Sequence, residues 1–241
     1  MRLELVVVVT LFMSSVNCQR SIDEIDFARI PQKKIRQYLS DQIKNDRNLL
    51  SDFHPSCSNK PDFPELNRME NSYLIMESAD IVWDTYNSAN LTDAWNGKMI
   101  SFGLLCSKWS EYIVYRNSTD FCGIDTGQVF FINLRIFRGI FNLPVGLQVI
   151  EIDNQNMTIA FSYLEGGKSV GTQTIKLTGT SEGYTEITHT SAFKSDSPFR
   201  DKRLYPYYHT KVLNEFHRNI ARDISSDGNI FYVLSPSGEL E

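Results

Sequence analysis

The sequence predicts an α+β fold in which a run of antiparallel strands meets one long C-terminal helix. Two observations carry this prediction. Between Glu111 and Phe193, bulky alternating segments are separated by short clusters such as Asp153-Asn154-Gln155-Asn156, Glu165-Gly166-Gly167-Lys168 and Gly179-Thr180-Ser181-Glu182-Gly183, which is how strands joined by hairpins read. After Ser197-Pro198, apolar and aromatic residues return at helical spacing as far as Ile224. A chain of 241 residues with 41% hydrophobic and 22% charged residues has enough apolar material to build a sizeable core for such a fold.

Each element has its own justification. Ile35, Leu39, Ile43 and Leu50 recur at mostly helical spacing among charges, which predicts an amphipathic helix within Ile30 to Leu50. Pro55, Pro61 and Pro64 then mark a connection. Asn71 to Glu77 is bulky enough for a strand and runs into a helix from Ser78 to Tyr86, with a short second helix over Asp93 to Trp95. Six strands follow: Glu111 to Tyr115, Gln128 to Phe137, Gly146 to Ile152, Met157 to Leu164, Ser169 to Leu177 and Tyr184 to Phe193. The last helix starts near Leu204, with Pro206 in its first turn where a missing N–H is tolerated. At 100° per residue, Tyr208, His209, Val212, Phe216 and Ile220 lie within about 60° of Tyr205. The residues from Ser225 onward show no partner in the sequence.

Side-chain alternation names the candidate interior. Phe130, Ile132, Leu134 and Ile136 share one strand face, and Met157, Ile159, Phe161 and Tyr163 share another. Asn133 and Arg135 fall on the opposite face, most simply solvated, although an inverted register would bring both inward as an anion partner. Buried polar groups demand partners, so His209 on the helix's apolar face, His189 beside Ile187 and Phe193, and the hydroxyls of Tyr163 and Tyr205 are the informative residues.

The N-terminus reads as an export signal. Met1 to Glu4 is charged, Leu5 to Met13 is apolar, and Val16 and Cys18 suit the small or aliphatic requirement of a cleavage site, so residues 1–18 are expected to be a signal peptide and the mature protein to be secreted or lumenal. Three Asn-x-Ser/Thr sequons, at Asn90, Asn117 and Asn156, are then candidate glycosylation sites. Cys106 and Cys122 are the expected disulfide, leaving Cys57 buried, free or paired with another chain; His54 is three residues from Cys57, but the proline-rich surroundings read as a loop and not as a catalytic centre.

Several function classes find no support. With 24 basic and 29 acidic residues the net charge is −5, and no basic run is long enough to neutralise several phosphates, so nucleic acid is not an expected partner. No apolar run after the N-terminus approaches the ~20 residues of a spanning helix. Metal-finger spacing, HExxH, a Walker loop and a GxSxG elbow are all missing from the sequence. His209 and His217, eight residues apart on one helix, are separated by about 12 Å and cannot share an ion. No metal and no cofactor is expected.

The order strand, two helices, antiparallel strands and long terminal helix resembles the START-like, or helix-grip, superfamily (SRPBCC, including Bet v 1-type and polyketide-cyclase-like proteins) over roughly residues 69 to 224. The resemblance rests on the opening Ser72-Tyr73-Leu74-Ile75-Met76-Glu77-Ser78-Ala79-Asp80-Ile81-Val82-Trp83-Asp84 and on the closing helix, Leu204-Tyr205-Pro206-Tyr207-Tyr208-His209 through Phe216-His217-Arg218-Asn219. It implies a curved sheet of about seven strands wrapped around the helix, with an apolar cavity between them. The expected organisation is a helical extension and linker at 19–67, the START-like domain at 68–225 and a tail at 226–241. Phe130, Ile132, Leu134, Phe161, Tyr163, His189, Tyr205, His209, Val212 and Phe216 are the expected ligand-binding residues. The expected function is a secreted binding or carrier protein for a small hydrophobic molecule such as a lipid, sterol, polyketide or pigment. The alternatives are an enzyme of cyclase, isomerase or hydrolase type using His189, His209 or Tyr163 for proton transfer, and an interaction module with a filled core.

Overall fold

The computed structural model of the chain describes residues 21–45, 50–57, 65–107, 112–118, 123–225 and 230–234. The expected signal peptide, Cys122 and the prolines at 61 and 64 lie outside them.

The helices are α1 (Lys33–Lys44), α2 (Ala79–Ser88), α3 (Leu91–Ala94) and α4 (Tyr205–Ile224). The strands are β1 (Asn67–Ile75), β2 (Ile100–Cys106), β3 (Ile113–Tyr115), β4 (Val129–Ile136), β5 (Phe141–Asp153), β6 (Thr158–Tyr163), β7 (Ser169–Gly179), β8 (Thr185–Ser195) and β9 (Phe231–Leu234). They form one antiparallel sheet in the order β3-β2-β4-β5-β6-β7-β8-β1-β9. The run from β4 to β8 follows the expected succession of hairpins, but the first of the six expected strands, β3, pairs with β2 and not with β4. Register shifts at Phe102/Leu104 and Val149/Glu151 bend the sheet, and α4 lies against the concave face: this is the helix-grip arrangement. An export helix cannot be read from the described residues, none of whose helices is long and apolar enough to cross a membrane.

Two strands escape a reading by pattern. β2 is buried at every position, so it lacks the polar alternation that marks a strand with one wet face. β9, in the segment read as an unpartnered tail, pairs with β1 from Ser72↔Leu234 to Ile75↔Phe231. Phe231 stacks on Tyr73 at 5.5 Å there. The sheet therefore has nine strands where about seven were expected. At the start of α2, Ser78 makes no side-chain cap, and its N–H donates to Glu77 Oε1 at 2.7 Å.

The sheet separates two cores. On the concave side, Phe102, Phe130, Phe161 and Ile187 meet Val212, Leu213, Phe216 and Ile220 of α4 together with Trp83, Tyr86 and Trp95. On the convex side, Ile22, Ile25, Ile30, Ile35, Leu39 and Phe53 cover Leu104, Cys106, Val129, Phe131 and Leu164. Burial of each such side chain contributes about 1.5–3 kcal/mol. Gly103 seats the extension: a Cβ there would collide with Ile35 Cδ1, and the neighbouring Phe102 carbonyl accepts from Gln32 Nε2 at 2.7 Å. The register is not inverted at Asn133 and Arg135, yet neither is simply solvated. The extension's face buries Asn133, whose Nδ2 donates to Asn142 Oδ1 at 2.8 Å, and Arg135 Nη1 donates to the Gly97 carbonyl at 2.8 Å.

The polar side of α4 is tied down too. Glu215 accepts from the backbone N–H groups of Lys98 and Met99 at 2.5 and 2.8 Å, and Asn219 Nδ2 donates to the carbonyls of Ala94 and Asn96 at 3.1 and 3.0 Å. These bonds fix where the helix crosses the sheet, and so fix the space beneath it.

Candidate functional site

The concave core fills unevenly. Near α3 it is solid, because Trp95 stacks on Phe216 at 4.0 Å and packs against Phe130, which meets Phe161 edge-on at 5.8 Å. Toward the start of α4 the side chains stop short, leaving a cavity of about 80 Å³. Its walls are Ile132, Leu134 and Ile136 of β4, Leu143, Val145 and Leu147 of β5, and Leu204, Tyr205, Tyr208, His209, Val212 and Leu213 from the helix side. Trp95, Tyr163, Ser169, Gln173 and Arg200 complete it.

Of the residues expected to bind a ligand, Ile132, Leu134, Tyr163, Tyr205, His209 and Val212 stand in this wall. Phe130, Phe161, Phe216 and His189 sit behind it in the packed core. Period-two and period-3.6 patterns name the inward face of an element; they carry no information on where along that face neighbouring rings fill the gap.

His209 is the chemically distinctive wall residue. It is 7% exposed, and neither ring nitrogen meets a hydrogen-bond partner among the described residues. Its ring stacks on Tyr205 at 4.6 Å, and Tyr205 stacks on Phe193 at 3.5 Å. Desolvation pushes the imidazole down to about 3, so at neutral pH it is uncharged and offers one N–H donor and one bare nitrogen acceptor. An unsatisfied buried polar group costs about 1–3 kcal/mol. A guest with a hydroxyl or carbonyl would relieve that cost.

Behind the wall runs a buried chain of hydrogen bonds whose direction can be worked out. Gln173 Nε2 donates to the Tyr163 hydroxyl at 2.8 Å, which turns Gln173 Oε1 toward His189 Nε2 at 3.0 Å. His189 must therefore donate from Nε2, and as a neutral ring it accepts at Nδ1. His217 Nε2, 2.9 Å away, supplies that proton. His217 in turn accepts at Nδ1 from the Tyr86 hydroxyl at 2.5 Å. At the other end Tyr163 bonds the Tyr205 hydroxyl. From Tyr86 to Tyr163 each member donates in one sense, and the final bond, between the Tyr163 and Tyr205 hydroxyls, brings the chain to the cavity wall with either oxygen able to donate.

Burial keeps the whole chain neutral. Desolvation holds His217 down to about 3 and His189 well below the ordinary imidazole value, with the neighbouring histidines pushing in the same direction. Desolvation also raises Tyr163 to about 12, and Tyr86 and Tyr205 well above the usual phenol range. Sequence reasoning found His189, Tyr163 and Tyr205 but missed His217, Gln173 and Tyr86. His217 lies 120° around α4 from Tyr205, beyond the apolar arc, and is buried because α2 and β1 close over that side. A polar residue flanked by Phe216 and Ile220 was the available signal.

Other candidates end differently. Cys57 is half-buried and burial raises its thiol, so it is no activated nucleophile; Ser56 is its nearby hydroxyl partner, while His54 is exposed. Cys106 is fully buried against the extension, and the expected bridge to Cys122 lies outside the described residues. Among the described residues no group of three His, Cys, Asp or Glu is placed to hold a metal ion.

No protein-family model and no curated protein sequence matches the chain. Solved structures do resemble it. Norcoclaurine synthase from Thalictrum flavum, in complex with dopamine and hydroxybenzaldehyde, is 15% identical with a TM-score of 0.49, covering 70% of this chain and 98% of that one. Major latex-like protein 151 from Panax ginseng is 12% identical with a TM-score of 0.48, covering 66% and 98%. Protein Ms6760 from Mycobacterium smegmatis is 9% identical with a TM-score of 0.46, covering 68% and 97%. The first two are Bet v 1-like proteins of the helix-grip superfamily, and this chain's own topology is the helix-grip fold.

Proposed function

We propose that the chain is a secreted binding protein that holds a small, mainly apolar molecule between the sheet and α4, with one uncharged polar group of the guest against His209 and the Tyr205 hydroxyl. The carrying observation is His209, buried in an apolar wall with both nitrogens unpartnered. The cavity of about 80 Å³ is smaller than the ~150 Å³ that accepts benzene in an engineered core. A sterol or lipid therefore enters only if the wall opens. The place for this is the π-helical turn Arg200–Leu204 that leads into α4, an irregularity common at functional positions. Acid–base catalysis draws no support from the histidines, because imidazoles held near 3 are poor proton acceptors at neutral pH.

Export belongs to this reading, with residues 1–18 as the signal and the Cys106–Cys122 bridge formed in the oxidising compartment. Asn117 and Asn156 are exposed, with Asn156 Nδ2 donating to Asp153 Oδ2 at 2.6 Å; Asn90 is half-buried, and its Oδ1 is occupied by the Thr92 N–H and hydroxyl at 3.0 and 2.8 Å.

The test is native mass spectrometry of the protein purified from a secreting host, before and after organic extraction. A retained mass that extraction removes is the expected result. His209→Leu should lower retention about tenfold, the value of one hydrogen bond, and leave the thermal midpoint unchanged or higher, since no partner is lost. A chain that carries nothing, and takes up no member of a panel of hydrophobic alcohols and ketones, would refute the proposal.

A further inference from the structure

The cavity mouth carries a surface that neither core explains. The β4–β5 hairpin turns through Phe137, Arg138 and Gly139, all three left-handed with φ of 50°, 60° and 91°. Two non-glycine residues in that region are strained. What the turn presents is apolar: Phe137, Ile140 and Phe141 are 47%, 76% and 61% exposed. Phe137 contacts Tyr208 of α4 at 5.4 Å, which joins the hairpin to the segment Phe199 to Lys211, where Phe199 and Tyr207 are also exposed.

Charge at this mouth runs against the chain as a whole. The stretches Phe137 to Phe141 and Phe199 to Lys211 contain five bases, Arg138, Arg200, Lys202, Arg203 and Lys211, in a protein of net charge −5. Their one acid, Asp201, is buried and turned inward, accepting from the Ser195 N–H at 3.2 Å. Of the bases, Arg200 is paired with Asp196.

We propose that this mouth docks on an anionic lipid bilayer, with Phe137, Ile140 and Phe141 entering the headgroup layer and Arg138, Lys202 and Arg203 holding the phosphates. Exposed aliphatic and aromatic side chains with exposed Lys and Arg in the same two segments fit a negatively charged interface, where the rings and long stems bury and the cations stay at the phosphate level, even though Lys202 has Glu65 and Asp196 for neighbours. The placement of the Asn156 sequon agrees. β5 runs 13 residues from the mouth at Phe141 to Asp153, so the turn bearing Asn156 is roughly 40 Å from the tip, and a sugar there leaves the mouth clear.

The experiment is co-sedimentation of the full chain with vesicles of phosphatidylcholine alone or of phosphatidylcholine doped with phosphatidylserine, at low and high salt. Binding is expected to the doped vesicles at low salt and to fall at high salt. Two variants, Ile140→Asp with Phe141→Asp and Arg138→Gln with Lys202→Gln and Arg203→Gln, should each weaken it at least about tenfold while circular dichroism stays that of the parent. Equal binding to both vesicle types, no binding to either, or variants that bind like the parent would overturn the proposal. Uptake of the fluorescent probe anilinonaphthalene sulfonate from solution is measured alongside. Lost vesicle binding with intact uptake refutes docking and leaves the cavity reading standing; vesicle binding without uptake does the reverse.

Discussion

The two faces of one sheet have been finished in different chemistry. The convex face is closed by the extension with Ile22, Ile25, Ile30, Ile35, Leu39 and Phe53, a mainly aliphatic and aromatic contact that also covers amides such as Asn133 and Gln42 but no imidazole. The concave face buries His189, His209, His217 and Gln173 beside its apolar residues, and keeps a cavity. A face that only had to be stable would have no reason to desolvate three imidazoles. The extension supplies stability, and the concave side retains polar groups that a guest can use.

That contrast can be broken first on the convex side. Deleting residues 21–57 uncovers Leu104, Cys106, Val129, Phe131 and Leu164; at about 2 kcal/mol each the loss approaches 10 kcal/mol, comparable with the whole stability of an ordinary domain. The expected outcome is loss of the cooperative urea transition. A truncated chain that still unfolds cooperatively would show the extension to be an accessory.

Acid should act on the concave side. The three histidines have folded values far below the unfolded imidazole near 6.5, so below pH 6.5 the unfolded chain binds protons that the folded chain refuses. Their contribution is therefore fully present above pH 6.5 and is lost progressively as pH falls toward the folded values, about 3 for His209 and His217, by about 1.4 kcal/mol per unit for each group. Unfolding free energies from urea titrations at pH 7.5 and 5 should differ by several kcal/mol, and His209→Leu should remove about a third of the slope. A flat profile would mean that the imidazoles reach water in the folded protein.

A smaller change sharpens the comparison within the concave core. His217→Leu strands the Tyr86 hydroxyl and His189 Nδ1, and is expected to lower stability by about 2–4 kcal/mol. Its effect set against the near-neutral His209→Leu would separate the histidine that completes the core from the one that faces the cavity; equal losses in denaturant melts would erase that distinction.

Much of the architecture was legible in the order of patterns. Strands β4 to β8 alternate, the hairpins carry turn residues, and α4 has one apolar face, all of which are local properties written in adjacent residues. β2 was not legible because burial on both faces removes alternation, and β9 because four residues acquire strand character only from the β1 edge beside them. The site divides in the same way. Tyr163, Tyr205 and His209 follow from the faces of their own elements, whereas the bonds from Tyr86 through His217 and His189 to Gln173 join residues from α2, α4, β8 and β7.

Local pattern was enough for the hairpins from β4 to β8, the long closing helix and the inward faces, since a period of two or 3.6 is imposed by backbone geometry. Packing between distant segments set the rest: an inside that is part solid and part open, three imidazoles held neutral, and an extension that covers the sheet's back. Those properties depend on distances between segments remote in the chain, and desolvation is set by what closes over a residue, not by the residue's own neighbours in sequence.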